Sequence, residues 1–328
     1  MAAPQKFGIT IPQRGIFFGI TTVDEILEIA HEADGIDLFD SAWVGDSLFA
    51  KPRPDSITLL GALAGVTRRL ILGVGCMASF PVRDPIVFAY QWANLDLLSQ
   101  GRMLLAACTG IVGGGASARE GAHWGVLDKE RAARLEENID ICRLLWSKND
   151  VAYNGVYHSF KDVTVDPKPV QSPCPIWIAS NPSSARLNES AWERALRRVP
   201  RLADGWMSAQ TSPRAFGNNW DKIVQLLHEE GKDPETFPNI AYYNININPD
   251  RQAALEESKR FLDEYYGPVF TPEMVEAWTA SGTPKQCIEQ LRVLARDGAK
   301  SVTLRITSWQ QKEQFQRMVQ EVLPYVRE

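Results

Sequence analysis

A chain of 328 residues, 45% of them apolar, can bury one large core or two small ones and does not have the composition of a disordered protein. Its net charge of -5 comes without any basic stripe that could follow a phosphate backbone, so nucleic acid is not an expected partner. No run approaches eighteen apolar residues and residues 1–6 lack an apolar leader, so a cytoplasmic protein without a membrane span is expected.

The first predicted strand, Phe7–Pro12, alternates in the manner of a half-buried strand. Thr22 with Glu25 three residues later forms a capping-box pattern, and Val23, Ile26, Leu27 and Ala30 then keep helical spacing. A strand at Phe39–Val44, a helix within Asp55–Val66 and a strand at Leu70–Cys76 follow. Later helices announce themselves by a cap residue and proline: Asp84-Pro85, Ser212-Pro213, Asn248-Pro249, Thr271-Pro272 and Thr283-Pro284. Proline suits the first helical turn because its missing N–H would have no partner there. Further strands are read at Met103–Cys108, Pro175–Ser180, Gly205–Ser208, Ile240–Ile247 and Ser301–Ile306, with a last amphipathic helix over Trp309–Val326. Arg194 to Arg201 reads as the solvated face of a helix.

Eight strands alternating with helices, with no low-complexity linker, predict an α/β fold: a single (β/α)8 TIM barrel domain over residues 1–328. It would carry insertions in the loops at the C-terminal face and one extra C-terminal helix. A doubly wound sheet with a second domain is the alternative. That fold normally sets its glycine fingerprint after the first strand, whereas here "CTGIVGGGAS", Cys108 to Ser117, follows the fourth. Gly113, Gly115 and Ala118 match the spacing, but Gly121-Ala122-His123-Trp124-Gly125 intervenes and the next strong helix pattern starts only near Asp128. The stretch therefore reads as a loop over a pocket, not a dinucleotide turn. Five scattered cysteines (Cys76, Cys108, Cys142, Cys174, Cys287) without C-x-x-C imply reduced thiols. Four distant histidines (His31, His123, His158, His228) give no metal-site pattern.

Several segments in this order resemble the bacterial luciferase-like monooxygenase family of flavin and deazaflavin enzymes: "FDSAWVGDS", "LILGVGCMASFPVRDP", "LDLLSQGR", "WGVLDKERAARLEE", "PKPVQSPCPIWIAS", "LADGWM" and "GTPKQCIEQL". The resemblance, over about Phe7 to Ile306, implies a barrel that binds reduced FMN or the deazaflavin coenzyme F-420 at its C-terminal face. It places a non-prolyl cis peptide at Gly75–Cys76 behind the flavin ring, and sets Cys108 at a reactive-thiol position, read here as lining the pocket. Asp46-Ser47 stands where many relatives carry an acid–base histidine. Ser47 is then the residue at the catalytic position, yet a serine cannot titrate near neutral pH. Arg131 matches an arginine that reaches the cofactor phosphate, and Ser180, Asn181, Ser183 and Ser184 match a phosphate-gathering loop. Asp46, His123 and Trp124 are expected on the substrate side. Arg305, a charge inside the apolar strand "TLRIT", should point into the pocket or pair with an acid. Trp43, Trp177 and Trp206 are expected to pack.

The resemblance implies an enzyme, with a two-component monooxygenase as the first reading. Reduced FMN from a separate NAD(P)H–flavin reductase would react with O2 to oxygenate a small organic substrate. Hydride transfer with the deazaflavin is the first alternative and a non-catalytic flavin-binding barrel the second; a homodimer is expected.

Overall fold

The computed structural model describes residues 6–110, 115–183 and 187–327. Eight parallel strands form the central sheet: β1 (Lys6–Thr10), β2 (Phe39–Val44), β3 (Ile71–Met77), β4 (Met103–Ala107), β5 (Ile176–Ala179), β6 (Trp206–Ala209), β7 (Asn239–Ile247) and β8 (Ser301–Ile306). Each pairs with the next, and β8 returns to β1 with Lys6 opposite Ser301 and Ile9 opposite Leu304. The sheet is thus a closed barrel without an edge, as the count of eight predicts. A major helix follows each of the first six strands and two follow β7: α1 (Val23–Asp34), α2 (Ser56–Val66), α3 (Pro85–Ser99), α4 (Arg131–Ser147), α5 (Glu189–Leu202), α6 (Pro213–Glu229), then α7 (Arg251–Tyr266) and α8 (Pro284–Arg296) between β7 and β8.

The helix starts follow local chemistry. Glu25 N–H donates to Thr22 Oγ1 (3.2 Å) while Thr22 N–H donates to Glu25 Oε2 (2.8 Å), completing the capping box. Asp84, Ser212, Thr271 and Thr283 each accept a backbone N–H of the first turn. The Asn248-Pro249 pair differs: Asp250 is the cap, accepting from Gln252 and Ala253, so α7 begins at Arg251.

Besides the short helix Gly15–Phe18 and two 3-10 turns, three larger features were not predicted. Val151–Asn154 and Ser159–Val163 form an antiparallel hairpin after α4. Thr279–Gly282 adds a short parallel strand beside the C-terminal half of β7. Gly115–Ala122 forms a helix within the glycine-rich run. The last helical segment, Gln311–Val326, carries a π-helical turn at Met318–Val322 just before Pro324. The proline ring excludes the carbonyl four residues back, and the wider turn accommodates it.

A large apolar layer fills the space between strands and helices, and a smaller one fills the barrel. The inner layer is Trp43, Leu104, Ala106, Met207 and Ile240, with Trp177 and Cys76 against it. Trp43 explains Gly73, because a Cβ there would lie 2.4 Å from its indole ring. The glycine clears room for a tryptophan rather than for a ligand, and the strand tryptophans do pack.

Candidate active site

The floor of the barrel mouth is built where β3 and β4 end. The Gly75–Cys76 peptide is cis, where the resemblance places it. Cys76 Sγ lies 2.7 Å from Cys108 Sγ, and both are free thiols. The Cys108 thiol and burial push the Cys76 thiol well above its ordinary range. The Cys76 thiol is therefore held in its protonated form, packed against Trp43 and Ala106 in the floor.

Asp46 is a brace. Its carboxylate accepts from Ser56 Oγ (2.7 Å) and from Ser79 N–H (2.7 Å), and Arg83 lies 3.5 Å away. These contacts tie the loop after β2 to the loop after β3. Ser47, the residue at the family's acid–base position, closes a turn: Oγ donates to the Lys51 carbonyl (2.8 Å) and accepts from Lys51 N–H (3.2 Å). Its hydroxyl is engaged with its own loop.

The glycine-rich segment corrects an expectation. Gly113 lies outside the described residues, but a helix runs from Gly115 to Ala122, and α4 begins at Arg131 after a 3-10 turn at Asp128–Glu130. The reason is tertiary. Glu120, 2% exposed, accepts the N–H groups of Leu48 (3.0 Å), Phe49 (2.8 Å) and Ala50 (2.8 Å). His123 and Trp124 meet Phe49 at 5.4 Å each, the tryptophan stacked upon it. Both residues are exposed and form a rim clasp with the loop after β2, outside the floor.

Arg131 is buried beneath the ends of β3 and β4. Nε donates to the Thr109 carbonyl (2.6 Å) and Nη2 to the Ala78 carbonyl (2.9 Å), while Nη1 is buried without a partner among the described residues. Gly110, at φ +71°, lets the chain pass close to it: a Cβ there would stand 2.7 Å from Nη2. Next to it, at the end of β5, which pairs with β4, Ser180 Oγ donates to the Ala195 carbonyl (3.4 Å). Asn181 accepts from Ser208 Oγ (3.0 Å) and donates to the Ala209 carbonyl, joining the ends of β5 and β6. Ser183 is exposed; Ser184 lies outside the described residues. The following helix is capped by Asn188, which accepts Ala191 N–H.

Opposite them, Arg305 on β8 is 3% exposed and pairs with no described carboxylate. Nε donates to Asn244 Oδ1 (2.9 Å), Nη1 donates to the Tyr266 hydroxyl (2.8 Å), and Nη2 has no partner among the described residues. The rings of Tyr242, Tyr265, Tyr266 and Trp278 surround it at 4.8–5.2 Å. Arg14 and Arg53 also face Tyr265, at 4.8 and 5.5 Å, and Lys51 faces Tyr266 at 5.4 Å. Burial alone would raise the Tyr265 phenol, but Arg53, Arg305, Arg14 and Lys51 outweigh it and hold it below its ordinary value. Arg14, Lys51, Arg53 and Tyr265 were not singled out from the sequence. Their available signal was position: Arg14 and "KPRP" follow the first two strands, on the face where barrels build their sites.

Among the described residues no group of three or more His, Cys, Asp and Glu side chains could hold a metal ion, and no helix is long and apolar enough to cross a membrane. The chain is 25% identical to an F420-dependent glucose-6-phosphate dehydrogenase of Nakamurella multipartita, covering 92% of this chain and 91% of the relative. An F420-dependent secondary alcohol dehydrogenase in complex with an F420–acetone adduct superposes with a TM-score of 0.80 at 17% identity, over 100% of both chains. A monooxygenase from Streptomyces bottropensis does so at 0.77 and 21% identity, over 98% of this chain and 99% of that one. The family model described as luciferase-like monooxygenase matches residues 6–301, and the chain belongs to that family of enzymes.

Proposed function

We propose that this enzyme is a deazaflavin-dependent oxidoreductase that moves a hydride between its coenzyme and a small alcohol or carbonyl compound. The observation that carries this reading is Tyr265. Interconverting an alcohol and a carbonyl requires a group that takes or gives the hydroxyl proton. Tyr265 is a buried phenol with the guanidinium groups of Arg14, Arg305 and Arg53 4.8, 4.8 and 5.5 Å from its ring, cations that favour its anion. The relative of Nakamurella multipartita, alike over nine-tenths of the chain and named for its dependence on F420, supports the same choice. This reverses the order suggested by the sequence, which set reduced FMN and O2 first.

The residues present fit such a coenzyme. Arg131 Nη1 is a buried donor without a partner among the described residues, and Gly121 lies beside it: a Cβ there would stand 3.1 Å from that atom. When bound, the deazaflavin supplies the hydride chemistry. Gly75, Cys76 and Cys108 would lie behind its ring, and Arg131, Ser180, Asn181 and Ser183 would flank its phosphate. Asp46 and Glu120 hold the loops that carry the site, and His123 and Trp124 close its rim. Tyr265 would exchange the substrate proton, with Arg305 on the substrate side. The protein would act as a homodimer in the cytoplasm.

The monooxygenase reading, with FMN and a separate flavin reductase, keeps the support of the Streptomyces bottropensis neighbour. Titrating the purified protein with the deazaflavin and with reduced FMN separates the two. Micromolar binding of the deazaflavin and weaker binding of FMN are expected. Tight binding of reduced FMN with no deazaflavin binding would replace hydride transfer with oxygenation.

A further inference from the structure

The strand ends of β1, β2 and β8 bring four cations together around two tyrosines. Arg14 follows β1, Lys51 and Arg53 follow β2, Arg305 lies on β8, and Tyr265 and Tyr266 end α7 with ring centroids 4.5 Å apart. Among the described residues none of the four cations forms an ion pair. Arg14 donates to the Tyr265 carbonyl, Arg53 to the Lys51 carbonyl, and Arg305 to Asn244 and Tyr266.

The acidic groups around them are otherwise placed. Glu120 acts on Lys51 through space while its carboxylate holds three backbone N–H groups, Glu264 is exposed, and Asp46 faces Arg83. Among the described residues two donors in the cluster are buried without a partner: Nη2 of Arg305, a residue 3% exposed, and Nε of Arg14, a residue 8% exposed. Buried charge without a counter-charge is costly, and buried N–H groups without acceptors add to that cost. A ligand oxyanion would remove both penalties, and guanidinium groups suit carboxylate and phosphate oxygens.

From this juxtaposition we infer that Arg14, Lys51, Arg53 and Arg305 form the receptor for an anionic group, carboxylate or phosphate, on the substrate. The inference rests on the hydride-transfer reading for the word substrate, but not for the anion site itself. The anion would sit at the β1–β2–β8 side of the mouth. The orphaned Nη1 of Arg131 lies instead beneath the ends of β3 and β4, so the cofactor's own phosphate has a separate place. Tyr265, between the cations, is then close to the carbon skeleton that the anion anchors. The recognised substrate is a small hydroxy or oxo compound bearing an acidic group.

The test uses the full-length protein and calorimetric titration with inorganic phosphate and, separately, acetate. The wild type should bind at least one of them saturably, and the stronger ligand tells phosphate from carboxylate. Lys51→Met and Arg305→Met should each weaken that binding about ten- to a hundredfold, the loss expected for one charge-assisted contact. Deazaflavin affinity should stay within a factor of two or so. Should Arg305→Met fail to fold by circular dichroism, Lys51→Met and Arg53→Met carry the test.

Absence of saturable binding, or equal binding by all variants, overturns the anion site. A parallel loss of deazaflavin affinity overturns the substrate assignment, because the cations would then serve the cofactor. If the wild type binds phosphate in this pattern but no deazaflavin at all, the anion site stands and the hydride-transfer reading falls.

Discussion

Tyr265 is a buried phenol in a field of positive charge, and the cations around it ease the loss of its proton. Arg53, Arg305, Arg14 and Lys51 favour its anion, while burial opposes them and Tyr266 and Tyr242 stand nearby. The sign follows from the charges. Alcohol oxidation needs the phenolate, so its rate should rise with pH through a value below the ordinary tyrosine value of about 10. Tyr265→Phe should lose that limb and lower kcat by about 10²–10⁴-fold, the usual share of a general base. Lys51→Met removes one stabilising cation and should move the limb to higher pH. A limb that stays in place in Lys51→Met, or survives in Tyr265→Phe, would assign the titration to another group. Of this cluster only Arg305 was legible in advance, because a charge in "TLRIT" breaks an apolar strand. Arg14, Lys51 and Arg53 look like ordinary loop charges until three strand ends are brought together. The converse holds for Ser47, whose position in the chain matched a catalytic one while its hydroxyl closes a turn.

The elements that the sequence announces are those whose signals are local. Apolar runs at β3, β4 and β7, and cap-plus-proline pairs before α3, α6 and α8, depend on neighbours a few residues away. The hairpin at residues 151–163 is mostly exposed and so lacks apolar periodicity, although Asn154-Gly155 is a turn signal. Gly115–Ala122 shows tertiary contact overriding propensity, since glycine disfavours a helix by about 1 kcal/mol and Glu120 anchors this one against the loop after β2. That loop carries Lys51 and Arg53, so Glu120 also positions half of the cationic cluster. Glu120→Ala should raise amide hydrogen exchange at Leu48, Phe49 and Ala50 about ten- to a hundredfold, matching the loss of about 1.5–3 kcal/mol from hydrogen bonds to a charge. Core strands should keep their protection. Unchanged exchange at those three amides would show that the loop is held by the Phe49–Trp124 clasp instead.

At the scale of the molecule, a count of eight strand–helix units was enough to read the barrel, because only closure leaves such a parallel sheet without edges. Association is a different matter: periodicity shows that a helix is apolar but not which of its faces is covered. The barrel structure makes that distinction at α3. Phe88, Ala89, Trp92 and Ala93 are buried, whereas Val87, Tyr90, Leu97 and Leu98 are 55%, 50%, 49% and 65% exposed. A helix that is apolar on both faces is usually covered on both, and an exposed apolar stripe on a barrel shell marks a contact surface. A two-fold dimer is the commonest closed assembly, and it would set this stripe against its own copy. Light scattering at micromolar concentration should therefore give twice the chain mass of 36.7 kDa. Leu98→Glu would bury a carboxylate at that contact, at a cost of about 3 kcal/mol or more. The dissociation constant should rise over about a hundredfold, leaving monomers at the same concentration with an intact barrel by circular dichroism. A monomeric wild type would remove the dimer, and a dimeric Leu98→Glu variant would move its interface away from α3.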